Sequence, residues 1–168
     1  ICFNSIISLR VPDIIVDTRM GTATTAGTVL SLMQLTGIVA GVGFASLTHV
    51  FKKNLLMIMC FGFGLALALI GLSGQLWSLV LGTLLAGFTY STGVTSIFYH
   101  LSEKIPTNLL NLATSLVLIG CNLGSAVSSF FIQLVMPLAP SNHLLFVLIG
   151  ALMVLTGVFA SQLLARTK

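Results

Sequence analysis

Residues 54–73, NLLMIMCFGFGLALALIGLS, are twenty consecutive positions without a charge. A helix that crosses a bilayer needs about 20 predominantly apolar residues. A helix that is apolar on every face has no side fit for water. Lys52 and Lys53 stand directly before this stretch, and outward from it the pattern repeats. The chain has ten charged residues, seven basic and three acidic. They gather in four patches: Arg10, Asp13, Asp17 and Arg19; Lys52 and Lys53; Glu103 and Lys104; Arg166 and Lys168. Between the patches run uncharged spans of 32, 49 and 61 residues. A charge at mid-bilayer costs about 3 kcal/mol or more, so charges retreat to the connections. The first span holds one crossing helix and the other two hold two each, giving five complete crossings.

The composition agrees. Hydrophobic residues make up 57% of the 168 positions and charged residues 6%, where soluble domains carry roughly 25% charge. The formal net charge of +4 is small and sits in the connections. It therefore bears on membrane orientation and not on nucleic-acid binding. Cys2, Cys60 and Cys121 are odd in number and widely spaced. They read as small buried hydrophobes, not as disulfide or metal ligands. The chain opens in apolar text, ICFNSIISL. These nine residues are too few to span, so we expect the tail of a helix whose beginning is missing, in a fragment of a longer protein.

The expected helices are about 1–9 (partial), 22–49, 54–73, 77–99, 108–136 and 143–164, forming one transmembrane domain. Pro12 and Gly21 bracket the first connection, and Pro106, Pro137 and Pro140 fall in later ones, so no proline is expected inside a helix. Asn108 is a candidate cap for the fifth helix, and Ser141 or Asn142 for the sixth. Alternating sides puts Lys52, Lys53, Lys104, Arg166 and Lys168 on one face, and Arg10 and Arg19, offset by Asp13 and Asp17, on the other. The richer face is expected in the cytoplasm together with the C-terminus, in a multi-pass protein of the cell membrane.

The helices differ in polarity. Those at 54–73 and 143–164 are almost wholly apolar, as lipid-exposed helices are. The 108–136 helix carries Asn111, Ser115, Asn122, Ser125, Ser129 and Gln133, which fall within an arc of roughly 80° at about 100° per residue. That stripe is about 33 Å long at about 1.5 Å per residue, the depth of a hydrocarbon core. Facing lipid, it would leave polar groups unsatisfied. It is expected to face water, a substrate or another polar helix. Gly37 and Gly41, and Gly120 and Gly124, form GxxxG pairs suited to close helix packing. For single Ser and Thr residues, a bond back to the helix's own i−4 carbonyl is the favoured reading. Asn122 and Gln34 carry amides near mid-depth that are costlier to hide. Interhelical bonding is the rival for Asn122, and packing is the rival for Tyr90.

With these residues in hand, the chain resembles the C-terminal six-helix half of a major facilitator superfamily transporter. In that family the third and sixth helices of each half lie outside against lipid, and here the third and sixth segments are the all-apolar ones. Residues 10–21, RVPDIIVDTRMG, are similar to the exterior connection between the family's seventh and eighth helices. Residues 22–45, TATTAGTVLSLMQLTGIVAGVGFA, look like the eighth. The next stretch, ASLTHVFKK, stands where the family has a Gly-x-x-x-Asp-Arg-x-Gly-Arg-Arg-like loop. Ala45 replaces the opening Gly, and His49 and Val50 the Asp-Arg pair, so the Asp that a gating lock would use is absent. Only Lys52 and Lys53 keep the basic end.

The resemblance implies a secondary active transporter whose substrate binds at the bilayer centre between two rocking halves. Gln34, Tyr90, Asn122 and Ser125 are the expected substrate-binding positions of this half. His49, Lys52 and Lys53 are expected at the gating loop, where plain positive-inside anchoring is the favoured reading for the lysines. The partners are the lipid bilayer, a small-molecule substrate and the missing N-terminal half, in the same chain or another. No Asp, Glu, Lys or Arg lies in any complete expected helix, so a neutral or amphipathic solute is expected. The residues offer no catalytic constellation, cofactor motif or metal spacing, and enzymatic function is not expected. The rival is a non-transporting subunit, truncated or assembled with a partner.

Overall fold

The computed structural model describes residues 2–51, 55–135, 137 and 141–166, the side chains of Leu56, Asn142 and residues 159–166 excepted. These residues form six helices and no strand: α1 (Cys2–Asp17), α2 (Ala23–Phe51), α3 (Leu55–Gly71), α4 (Leu76–Lys104), α5 (Thr107–Val135) and α6 (Asn142–Arg166). The protein is all-α, as its sequence predicts. Among the described residues α2, α4 and α5 are each long and apolar enough to cross a membrane, while α3 and α6 hold shorter apolar stretches, Met57–Gly71 and His143–Val158.

Two helices outrun expectation. The first does not stop near residue 9 but continues through Pro12 and the charges Arg10, Asp13 and Asp17. A proline inside a helix costs about 3 kcal/mol. Against it stand Val11, Ile14 and Ile15, each at most 1% exposed, and burying one such side chain contributes about 1.5–3 kcal/mol. Three of them outweigh the proline. The acidic groups lie on the exposed side, with Arg10 3.3 Å from Asp13. Met20 N–H donates to the Ile15 carbonyl and Arg19 N–H to the Val16 carbonyl, both at 3.1 Å. Arg19 has φ 55°. That double closure around a left-handed residue is a Schellman motif, with arginine where glycine is usual.

The fourth helix, expected to end at 99, runs to Lys104 and takes in Glu103. Nothing breaks it until Pro106. Ile105, the residue before that proline, is extended at φ −103°, ψ 132°, because the proline ring disfavours helical geometry there. The candidate caps resolve likewise. Leu144 N–H donates to Ser141 Oγ at 3.2 Å, so Ser141 caps α6. Asn108 lies inside the first turn of α5 and is not its cap. At the start of α2, Thr22 and Thr25 cap reciprocally at 3.3 and 3.4 Å.

Helix α4 lies at the centre, packed on α2, α3 and α5. The pairings α1–α5, α2–α4 and α3–α6 map onto one another when the first three helices are exchanged for the last three. The buried core joins Ile6, Ile7 and Ile14 of α1, Met33 of α2, Phe63 and Leu67 of α3, Leu79 of α4, Ile132 of α5 and Phe146 of α6.

Close approaches are made by glycines that the expected GxxxG pairs do not include. A Cβ on Gly71 would sit 2.8 Å from the His143 carbonyl, and one on Gly150 2.9 Å from the Gly64 carbonyl, so α3 and α6 meet backbone to backbone. Of the expected pairs, Gly37 meets Ser91 and Gly124 meets Cys2, while Gly41 and Gly120 face open space.

Candidate functional site

Helix α5 presents three different surfaces along its length. At about 100° per residue, Ala113, Val117, Cys121, Gly124, Ser128 and Phe131 share one sector, all half-buried or buried against the bundle. Asn111, Ser115, Asn122, Ser129 and Gln133 share a second sector, and all are exposed. Leu112, Leu116, Ile119, Leu123, Val127, Phe130 and Leu134 fill the third, each more than 50% exposed. A single helix therefore separates bundle, polar surroundings and apolar surroundings.

The exposed face of α2 is split along its axis. Thr24, Thr28, Ser31 and Gln34 are exposed in its first half, and Leu35, Ile38, Val39 and Val42 follow. Ser46 and His49 are exposed again toward the other end of α2.

Most hydroxyls serve their own helix. Thr28, Ser31, Thr83, Thr89, Thr92, Thr95 and Ser115 each donate to a carbonyl four residues back, at 2.7–3.0 Å. Among the described residues three hydroxyl contacts cross between helices, and of their members the sequence singles out only Ser125. Thr36 Oγ1 lies 3.1 Å from the Leu84 carbonyl. Ser91 Oγ donates to the Gly37 carbonyl at 2.9 Å. The Ser5 and Ser125 hydroxyls pair across α1 and α5. The carbonyl acceptors are exposed where glycine or a close helix approach uncovers the backbone, which composition alone does not reveal.

The expected substrate-binding residues fall in three settings. Gln34 and Asn122 are exposed on α2 and α5. The Asn122 side-chain amide donates to the Leu118 carbonyl at 2.9 Å, bonding to its own helix and not to a neighbour. Ser125 is half-buried and engaged with Ser5. Tyr90 turns inward, its ring centroid 6.2 Å from that of Phe63 on α3. No hydrogen bond or ring contact joins Tyr90 to Gln34 or Asn122 among the described residues. At the expected gating loop His49 is exposed in the last turn of α2, and Lys52 and Lys53 lie outside the described residues.

Tyr90 borders a half-open cavity of about 150 Å³ lined by residues from all the helices except α2. Phe3, Phe63 and Phe98 add rings to its wall. Met59, Cys60, Cys121 and Met153 add sulfur. No charged group lines it. These residues come from five helices, so no periodicity within one segment marks them.

A stripe of polar side chains along an apolar helix, exposed over its length, is the arrangement of a membrane protein that borders a polar pathway. The sequence model of the Major Facilitator Superfamily matches residues 1–168, the whole chain. The chain belongs to the Major Facilitator Superfamily. Comparison with curated proteins and with solved structures gives no match. Membership in the superfamily makes the chain, in general terms, a membrane transporter protein and embeds its apolar helices in a bilayer. The exposed apolar side chains of α2, α5 and α6 then meet lipid or other apolar protein surface. The exposed polar sector of α5 is a different case, because lipid cannot satisfy its amides.

Proposed function

We propose that this chain is the C-terminal six-helix half of a secondary active transporter of the cell membrane, moving a small neutral or amphipathic solute by alternating access. The reading rests on one observation, the exposed polar sector of α5, Asn111 to Gln133, beside an equally exposed apolar sector. An amide or hydroxyl row in a bilayer requires water, solute or a polar partner opposite it. In this reading the polar sectors of α5 and α2 form one wall of a central pathway, and a second six-helix half, in the same chain or another, forms the other wall. Gln34 and Asn122 contact the solute. Tyr90 and Ser125 support that wall from within, and the end of α2 with His49, Lys52 and Lys53 forms a cytoplasmic connection beside a cytoplasmic C-terminus.

The wall carries amides and hydroxyls and no charge, so it holds a neutral or zwitterionic solute by hydrogen bonds. A titrating group for proton coupling would come from outside these helices. The test is uptake by the complete protein in proteoliposomes, against a panel of neutral, zwitterionic and polyanionic solutes. A transported neutral or zwitterionic solute whose apparent affinity falls about tenfold in Asn122→Ala or Gln34→Ala, the loss of one or two hydrogen bonds, supports the reading. Unchanged affinity in both variants removes the site assignment. Uptake restricted to polyanions removes the substrate class.

A further inference from the structure

We propose that the cavity bordered by Tyr90 is a binding site for a small neutral molecule with one aromatic ring and one hydrogen-bonding group, separate from the polar sectors of α2 and α5. This goes beyond the transport reading and does not depend on it. The volume is about 150 Å³. A space of about that volume has room for a benzene-sized molecule. The wall is built for such a guest. Four of its residues carry aromatic rings and four carry sulfur, and sulfur against a ring edge is a favourable contact that adapts to the ring's placement.

The polar groups of the wall narrow the choice further. Thr89 is already used, its hydroxyl donating to the Leu85 carbonyl at 2.7 Å. The Tyr90 hydroxyl makes no hydrogen bond among the described residues, while its ring is fixed against Phe63. One free hydroxyl on an otherwise apolar wall selects a guest with a single polar group. A charged guest would find no counter-charge there. Access is from the side of Ile97, a wall residue that is 43% exposed. Gly93 is part of the wall, and the nearest heavy atom to a Cβ built on it is 3.8 Å away. A leucine at 93 therefore has room to grow into the space a guest would take.

Cys121 reports occupancy because it lies on the same wall. The experiment uses the complete protein with Cys2→Ala and Cys60→Ala, and follows alkylation of Cys121 by N-ethylmaleimide by mass spectrometry. Benzyl alcohol is the probe. A second variant adds Leu72→Cys in place of Cys121, at a position 76% exposed and off the cavity wall, to report probe effects on the detergent or bilayer. Saturating benzyl alcohol is expected to slow Cys121 alkylation at least about fivefold and to leave Leu72→Cys unchanged. Tyr90→Phe is expected to raise the half-protecting concentration about fivefold, as for one lost hydrogen bond. Gly93→Leu is expected to slow alkylation without any probe. Equal Cys121 rates with and without benzyl alcohol overturn the proposal, including when another part of the protein fills the cavity. Equal slowing at both cysteines overturns it too, since it reports the solvent and not the site.

Discussion

Arg19 is the residue whose backbone conflicts most plainly with its side chain. It closes α1 at φ 55°, a region that costs a residue with a Cβ about 1–2 kcal/mol. Glycine has no such cost and is the usual occupant of that position. Arg19→Gly is therefore expected to stabilise the protein by about 1 kcal/mol, raising the melting temperature in detergent by about 2–4 °C. An unchanged or lower midpoint would mean that the arginine side chain holds the connection in another way. Ser125 gives a second test at this scale. Its hydroxyl pairs with Ser5 across α1 and α5, and hydrogen bonds between membrane helices are worth about 0.6 kcal/mol on average. A double-mutant cycle of Ser5→Ala and Ser125→Ala should return a coupling of about that size. A coupling of zero would show that each hydroxyl has an equally good alternative partner.

Helices α3 and α6 meet closely, backbone to backbone. Gly71 sits where a Cβ would lie 2.8 Å from the His143 carbonyl, and His143 Nδ1 is 3.0 Å from the Gly71 carbonyl. Gly71→Ala must push two backbones apart, so a loss of about 1–3 kcal/mol is expected. Gly41→Ala meets open space and should be neutral or slightly stabilising. Thermal midpoints of the two variants measured side by side check the contrast, and equal midpoints would contradict the packing. This contrast also marks how far the elements were legible in the sequence. Period and composition disclose the apolar segments and the α5 stripe, because both depend on spacing within one helix. They do not disclose which glycine faces a neighbouring backbone. Of the GxxxG pairs, Gly37 and Gly124 meet a neighbour while Gly41 and Gly120 do not, and the closer approaches are made by Gly71, Gly87 and Gly150. The extension of α1 past Pro12 was hidden for the same reason. Its compensation is the burial of Val11, Ile14 and Ile15 against other helices.

The described residues form a bundle centred on α4. Exposed polar sectors occur on two of its helices, α2 and α5. Charge spacing leads to the membrane, and the helix-by-helix polarity leads to the superfamily that the sequence model identifies. The surroundings of Tyr90 were out of reach, since the cavity wall is assembled from helices far apart in the chain. The central claim is that the polar sector of α5 borders water or solute while its apolar sector does not. Its most direct test is thiol accessibility in the complete, otherwise cysteine-free protein in membrane vesicles. Single cysteines at Ser115, Ser129 and Gln133 are compared with ones at Leu116, Leu123 and Val127, using a membrane-impermeant cationic methanethiosulfonate. Thiols react as thiolates, which form in water and not in lipid. The account predicts that the first three react at least about tenfold faster than the second three. Equal rates in the two sets, or faster reaction at the leucine and valine positions, would contradict it.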